Sequence, residues 1–261
     1  NTNTPRATAC SSLLLQTADE TDAAPVEAET SLPQKSQGDP LAEPDNGIIE
    51  GRKTFGNIVK YIKMGISSNF GNMFSVLGAS ALLPFLPMQP VQILVNNLLY
   101  DFSQTGIPFD HVDQEYLAKP RKWQPDDLQK FMLYIGPISS IFDYATYAVM
   151  WFVFQANTVE QQALFQTGWF VESLMTQTLI VYIIRTAKIP FLQSRPALPM
   201  LLVTLTIMAV AIYLPFSPIA SALGFVPLPP QYFFWLALIL SSYCLLTQLV
   251  KTWFVRRYGY N

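Results

Sequence analysis

The chain has 261 residues, of which 51% are hydrophobic and 13% are charged, whereas an average soluble domain carries about 25% charged residues. The 16 basic and 18 acidic residues leave a net charge of -2, which gives no sign of a nucleic-acid partner. This composition argues against a soluble domain and favours a protein whose apolar surface is covered by a lipid bilayer. Cys10 and Cys244 lie far apart, so neither a disulfide framework nor a cysteine metal site is predicted.

Residues 1–46 differ in composition from the rest of the chain. They hold eight acidic residues and five prolines, with Arg6 and Lys35 as their only basic residues. Such a segment cannot bury enough apolar surface to offset the entropy lost on ordering. The sequence therefore predicts a disordered acidic tail over residues 1–46, followed by a membrane domain over residues 47–261.

The spacing of charges in residues 47–261 predicts an all-α integral membrane fold with six transmembrane helices. Between Lys63 and Asp101 lie 37 residues without a charge, and 55 residues from Pro196 to Val250 also lack one. A helix needs about 20 residues to cross a bilayer, and prolines divide each of these runs in two. With two further apolar stretches, the predicted spans are 64–84, 90–108, 131–155, 164–184, 198–217 and 231–250.

The basic residues predict the orientation of these spans. All fourteen Lys and Arg residues after the tail fall on one side of the six-span scheme, and the three turns on the other side have none. The positive-inside rule makes the basic side cytoplasmic, which places both termini there and the protein in the cell (inner) membrane. Trp151, Trp169 and Trp235 fall at the outer ends of their spans and are expected to form an aromatic belt.

Polar residues within the first two spans predict a cation site. Gly65, Ser68, Asn69, Asn72 and Ser75 share one face of span one at about 100° per residue, and Asn97 shares a face of span two with Asp101. Asp101 is an ionisable group with no basic residue in any span to neutralise it, so a cation or a proton is its expected partner. Because Mg²⁺ and Ca²⁺ take oxygen ligands, the predicted metal ligands are Asn69, Asn72, Asn97 and Asp101.

Other polar residues in the spans leave alternatives open. Ser68, Ser75 and Thr105 are better explained as interhelical hydrogen-bonding groups. Asp143 in span three and Glu172 in span four could each serve an ion pathway or the second coordination shell, or form a structural hydrogen bond. Gly71 and Gly78 are typical of a close helix contact.

Several sequence motifs, in order and with compatible spacing, resemble one known family. These motifs are GRKTFGNIVKYIKMGISSNFGNMFSVL, LPFLPMQPVQILVNNLLYD, GPISSIFD, GWFVESLMTQTLIVYIIRT and LPFSPIA. With them, the chain from Gly47 onwards is similar to the C-terminal membrane half of a bacterial magnesium-transporting P-type ATPase.

The resemblance implies ATP-driven transport of Mg²⁺ into the cytoplasm through an aspartyl-phosphate intermediate. The six spans would be the fifth to tenth of ten. It also implies that Asn69 and Asn72 fall where cation pumps place first-span ligands, and that Asn97 and Asp101 fall at second-span positions. Calcium pumps usually carry Glu at the position of Asn72 and Gly at that of Phe102, and both departures weaken a calcium assignment.

The family's phosphorylation motif DKTGT, its nucleotide-binding domain, its actuator domain with TGE and its fourth span have no counterpart in these 261 residues. The chain alone is therefore expected to lack ATPase activity, and ATP would act only through those domains. Its expected partners are the lipid bilayer and the missing catalytic domains or an intact pump. The alternatives are a truncated, non-enzymatic membrane bundle, or the same half of a Ca²⁺ or H⁺ pump.

Overall fold

The computed structural model describes residues 46–118 and 125–259, and the regular structure in these two segments is helical. The predicted tail, apart from Asn46, and the predicted cytoplasmic residues Lys119, Arg121 and Lys122 lie outside the described residues. The α-helices are α1 (Asn46–Leu82), α2 (Pro90–Gln104), α3 (Gln114–Leu117), α4 (Pro125–Ala148), α5 (Gln162–Ile184), α6 (Leu198–Tyr213) and α7 (Pro230–Tyr258). Short 3₁₀ turns separate several of them, and a π-helical segment, Val149–Val153, extends α4.

Three of the helical segments are long and apolar enough to cross a membrane, within the part of the chain that the structure describes. They are Val159–Ile184, Leu198–Phe216 and Pro230–Tyr258. α1, α2 and α4 coincide with the first three predicted spans, but they are more polar, and α2 has only 15 residues. The all-α class is confirmed together with three helices suited to crossing a membrane, and the count of six remains a prediction.

α5 is the central helix. It contacts α1, α2, α4, α6 and α7, and 94% of its most apolar 18-residue stretch is buried within the protein. Trp169 lies in this core with 2% of its surface exposed. The prediction that Trp169 belongs to an aromatic belt is therefore wrong, because the indole faces the inside of the bundle and donates a hydrogen bond to Asp143.

The turn between α1 and α2 follows from local sequence. α1 ends at Leu82, two residues before Pro84, because the residue before a proline is biased away from helical geometry. α2 starts at Pro90, where the missing N–H is not needed in the first helical turn. The side chain and backbone of Gln89 cap that turn through reciprocal contacts with Gln92.

α1 packs closely on α4 through small residues. A Cβ atom on Gly71 would lie 2.9 Å from the carbonyl oxygen of Gly136, and one on Gly136 would lie 2.8 Å from Cδ1 of Phe70. A Cβ on Gly78 would collide with the Tyr144 ring. The predicted close contact at Gly71 and Gly78 is confirmed, and α4 is the partner helix.

Candidate functional site

Three of the four predicted metal ligands share one groove between α1, α2 and α5. The groove has a volume of about 480 Å³, and we call it the asparagine groove. Its polar lining consists of Asn69, Asn72, Ser80, Asn96, Asn97, Trp169 and Ser173. Asn69 and Asn97 are exposed, and Asn72 is half-buried, so amide side chains from two adjacent helices line the same open space.

Gln177 of α5 orients one of these amides. Its Nε2 donates to Oδ1 of Asn72 at 3.3 Å and to Oγ of Ser173 at 2.7 Å. Gln177 is almost fully buried, so Asn72 is the ligand candidate that the bundle interior holds in place. The sequence prediction missed Gln177, although an amide in the middle of the apolar run LMTQTLIVYII is unusual enough to have indicated it.

Asp101 lies one helical turn from Asn97 on α2 and is exposed. It lines a second cavity of about 760 Å³, which also receives Asn57, Tyr61, Gln104 and Asp110. The structure thus places the predicted ligands in two neighbouring cavities, with the three asparagines in one and the carboxylate in the next.

Tyr100 determines the direction in which Asp101 points. Its hydroxyl donates to the carbonyl oxygen of Met64 at 3.2 Å and is buried between α1 and α2. Because neighbouring residues on a helix point about 100° apart, burying Tyr100 against α1 leaves Asp101 on the open side of α2.

The polar stripe predicted along α1 is divided between two faces in the structure. Asn69 faces the asparagine groove, whereas Ser75 is buried against α4 and donates to Oδ2 of Asp143 at 2.6 Å. Ser68 is also buried, and its hydroxyl interacts with Tyr100 of α2. The close contact between α1 and α4 therefore accounts for the position of Ser75 but not for that of Ser68.

Asp143 and Glu172 lie together in the bundle core. Asp143 accepts hydrogen bonds from Ser75 and from Nε1 of Trp169, the latter at 2.7 Å. The Glu172 side chain is fully buried and interacts with Asp143 and Thr146. Asp143 therefore forms structural hydrogen bonds, which is one of the alternatives that the sequence left open. Such bonds do not explain the position of Glu172.

The donor atoms suit a hard cation that keeps part of its water shell. Within residues 46–118 and 125–259, no group of three or more His, Cys, Asp or Glu side chains could hold a metal. A cation at this place would therefore rely on amide oxygens and one carboxylate, and Mg²⁺ commonly binds through one or two carboxylates and several waters. Both cavities are open, so the described residues would supply only one side of such a site.

The family model for the C-terminus of cation-transporting ATPases matches residues 85–253. This range includes the second predicted span and all later ones.

Two bacterial relatives are similar to most of the chain. The magnesium-transporting ATPase, P-type 1, of Salmonella typhimurium strain LT2 is 57% identical over 215 residues, which cover 82% of this chain and 24% of that protein. The protein of the same name from Escherichia coli K12 is 58% identical over 217 residues, covering 83% of this chain and 24% of its own length. The chain thus spans about a quarter of the length of the curated relatives it matches.

Proposed function

Since the chain belongs to the family of cation-transporting ATPase C-termini, we propose that residues 47–261 form the ion-translocating membrane part of a P-type magnesium pump. In the full-length protein this part carries Mg²⁺ into the cytoplasm. Binding and hydrolysis of ATP belong to domains outside these 261 residues. The names and the high identity of the two bacterial relatives support Mg²⁺ as the transported ion.

The observation that carries the proposal is the exposure of Asp101 on α2. Asp101 lies three residues before the end of α2 and lines its cavity together with Lys53 and Asp110, so this cavity belongs to the basic end of the bundle. Asn69 and Asn97 are also exposed. In this proposal another protein segment covers these side chains, and the remaining three quarters of the relatives' length can supply it.

In this proposal Asp101 is the central ion ligand, and Asn69, Asn72 and Asn97 supply neutral oxygens. The covering segment contributes the remaining ligands and closes the two cavities into one site. Asp143 and Glu172 lie deeper in the bundle, behind the Trp169 that lines the asparagine groove.

All six predicted spans cross the membrane in this proposal. A membrane-spanning helix that is buried along nearly its whole length needs neighbours at the same depth, and α1, α2 and α4 are three of the neighbours of α5. The 37 residues of α1 extend over about 55 Å at 1.5 Å per residue. This length exceeds the hydrocarbon thickness of about 30 Å, so the first part of α1 projects out of the bilayer.

The basic residues support a cytoplasmic position for that projecting end. Lys60 of α1 and Arg185 at the end of α5 meet on Asp110, and Lys251 of α7 donates to carbonyl oxygens of residues 183, 186 and 188. The cations thus gather at one end of the bundle, as the positive-inside rule expects for a cytoplasmic face. The cell (inner) membrane is the proposed location.

A chimera tests the function. Residues 47–261 replace the matching quarter of the Salmonella relative, and uptake of Mg²⁺ and of Ca²⁺ is measured in cells that lack their own magnesium transporters. We expect energy-dependent Mg²⁺ uptake that excess Ca²⁺ does not replace. Ca²⁺ uptake alone would reassign the ion, and a chimera that inserts in the membrane but transports neither ion contradicts the proposal.

A further inference from the structure

Two acidic side chains meet in the core of the bundle, away from the exposed Asp101. Asp143 of α4 is 2% exposed, and Glu172 of α5 is 0% exposed. Their carboxyl groups interact with each other. Two ionised carboxylates at such a place repel each other strongly, since burial removes the water that would screen them.

The hydrogen bonds of the two carboxyls are unequal. Oδ1 of Asp143 accepts from the indole N–H of Trp169 at 2.7 Å, and Oδ2 accepts from the hydroxyl of Ser75 at 2.6 Å. The Glu172 carboxyl has only the Thr146 hydroxyl and the Asp143 carboxyl within reach among the groups that interact with it, and neither contact has the geometry of a full hydrogen bond. The donors therefore stabilise an ionised Asp143 more than they stabilise an ionised Glu172.

Within residues 46–118 and 125–259, the groups that interact with the pair carry no positive charge. The titratable groups that interact with it from neighbouring helices are tyrosines, namely Tyr147 of α4 and Tyr232 and Tyr243 of α7. α1 contributes Ser75 and α5 contributes Trp169, neither of which carries a charge. The buried cations of the described residues lie elsewhere: Lys60 and Arg185 at Asp110, Lys63 at the ring of Phe131, and Lys251 at backbone carbonyls.

A metal ion does not fit between the two carboxyls. The indole N–H of Trp169 is a donor that cannot accept or coordinate, and it occupies one oxygen of Asp143. The single hydrogen of the Ser75 hydroxyl is shared between Oδ2 of Asp143 at 2.6 Å and the carbonyl oxygen of Gly71 at 3.1 Å, so Asp143 is its closer acceptor. The hydroxyls of Thr146 and Tyr243, both fully buried, also interact with Glu172.

We infer that Glu172 and Asp143 form a buried proton-binding site in which Glu172 carries one proton and Asp143 is the ionised partner. One shared proton leaves a single negative charge in the core, and that charge is the one the Trp169 and Ser75 donors are placed to stabilise. Because Trp169 also lines the asparagine groove, the proton site adjoins the proposed cation path. The inference concerns this chain's own residues and does not depend on the pump assignment.

Infrared spectroscopy of the 261-residue chain in lipid nanodiscs at neutral pH tests the inference. A protonated carboxyl has a carbonyl band separate from the bands of ionised carboxylates. We expect such a band in the unmodified protein. It should shift when glutamate is labelled with ¹³C at the side-chain carboxyl and should not shift when aspartate is labelled.

Variants identify the glutamate. Glu172→Gln should abolish the band, whereas the same substitution at the exposed Glu160, Glu160→Gln, should leave it unchanged. If Glu172→Gln fails to fold, the isotope shift in the unmodified protein still decides whether the protonated carboxyl belongs to a glutamate or to an aspartate. The absence of a protonated-carboxyl band, its persistence in a folded Glu172→Gln variant, or a band that shifts only with labelled aspartate would overturn the inference.

Discussion

Nζ of Lys60 lies 2.8 Å from Oδ2 of Asp110, in an ion pair whose side chains are 7% and 1% exposed. Nε of Arg185 approaches the same carboxylate oxygen at 3.0 Å. One carboxylate thereby joins α1, the loop after α2 and the end of α5. Burial lowers the pKa of Lys60, and the charge of Asp110 only partly offsets this effect.

Asp110→Asn should destabilise the protein strongly. The substitution leaves two buried cations without their negative partner, and breaking a buried pair in this way costs about 3–5 kcal/mol. Thermal unfolding of the purified chain in detergent measures the loss. Asp113→Asn is the matched control, because Asp113 accepts from the hydroxyls of Thr186 and Ser194; it should cost only about 1 kcal/mol. Equal unfolding temperatures for Asp110→Asn and the unmodified chain would refute this account of the ion pairs.

The pKa of Asp110 also predicts how the stability of the folded chain depends on pH. Burial alone would raise the pKa of Asp110, but the Arg185 hydrogen bonds and the Lys60 charge hold it below its ordinary value of 3.8. The unfolded chain therefore binds this proton more tightly than the folded chain. The stabilisation is complete above pH 3.8 and is lost as the pH falls through the lower value of the folded state.

The measurement for this acid dependence is the difference in unfolding temperature between the unmodified chain and Asp110→Asn as a function of pH. The difference should stay constant at neutral pH and shrink in strong acid. If the difference in unfolding temperature grew as the pH fell, the change would be opposite to the one expected. That result would show that the neighbours of Asp110 do not hold it ionised.

Cysteine labelling from outside the cell tests the six-span topology. In a background without Cys10 and Cys244, a membrane-impermeant reagent should label cysteines at Thr158 and Ala222, which are exposed in turns of the basic-free side. It should not label a cysteine at Leu192, which is 82% exposed in the loop that follows Arg185. Labelling at Leu192 but not at Thr158 and Ala222 would show that the chain has the opposite orientation in the membrane.

The 261-residue chain, purified in nanodiscs, is expected to release no phosphate from ATP. Phosphoryl transfer needs a nucleotide cradle and charge stabilisation of the transferred group, and the sequence contains neither DKTGT nor GxxxxGK[ST]. The comparison samples are empty nanodiscs and a full-length bacterial relative. Magnesium-dependent phosphate release that co-purifies with the chain would contradict this expectation.

The helix positions could be predicted from sequence because they depend on local signals. Prolines near residues 84 and 90 end α1 and start α2, whereas α1 begins at Asn46, before the predicted start of the first span at residue 64. The last three predicted spans begin within two residues of the observed α5, α6 and α7. Among the α-helices of the described residues, α3 is the one that no sequence pattern predicted, and it has four residues.

The partners of the polar side chains could not be predicted in the same way. The bond from Trp169 to Asp143 joins residues 26 positions apart, and that from Ser75 to Asp143 joins residues 68 apart. Helical periodicity gives a residue's face but not which neighbouring helix covers it. For this reason Ser75 was grouped with Asn69, although α4 draws it to the other side of α1.

The central claim is that Asp101 is the charged ligand of the transported ion. The chimera described above, with residues 47–261 in the bacterial pump, is assayed for Mg²⁺ uptake with Asp101→Asn, Asn97→Ala and Ser75→Ala. Asp101→Asn should reduce uptake by a factor of about 10 or more, since a loss of 1.4 kcal/mol already corresponds to tenfold. Asn97→Ala should be less harmful and Ser75→Ala mild.

Asp126→Asn, the same substitution at the exposed start of α4, should transport normally. If Asp101→Asn inserts in the membrane and transports Mg²⁺ at the unmodified rate, the claim is contradicted and Asp101 is not a ligand of the transported ion.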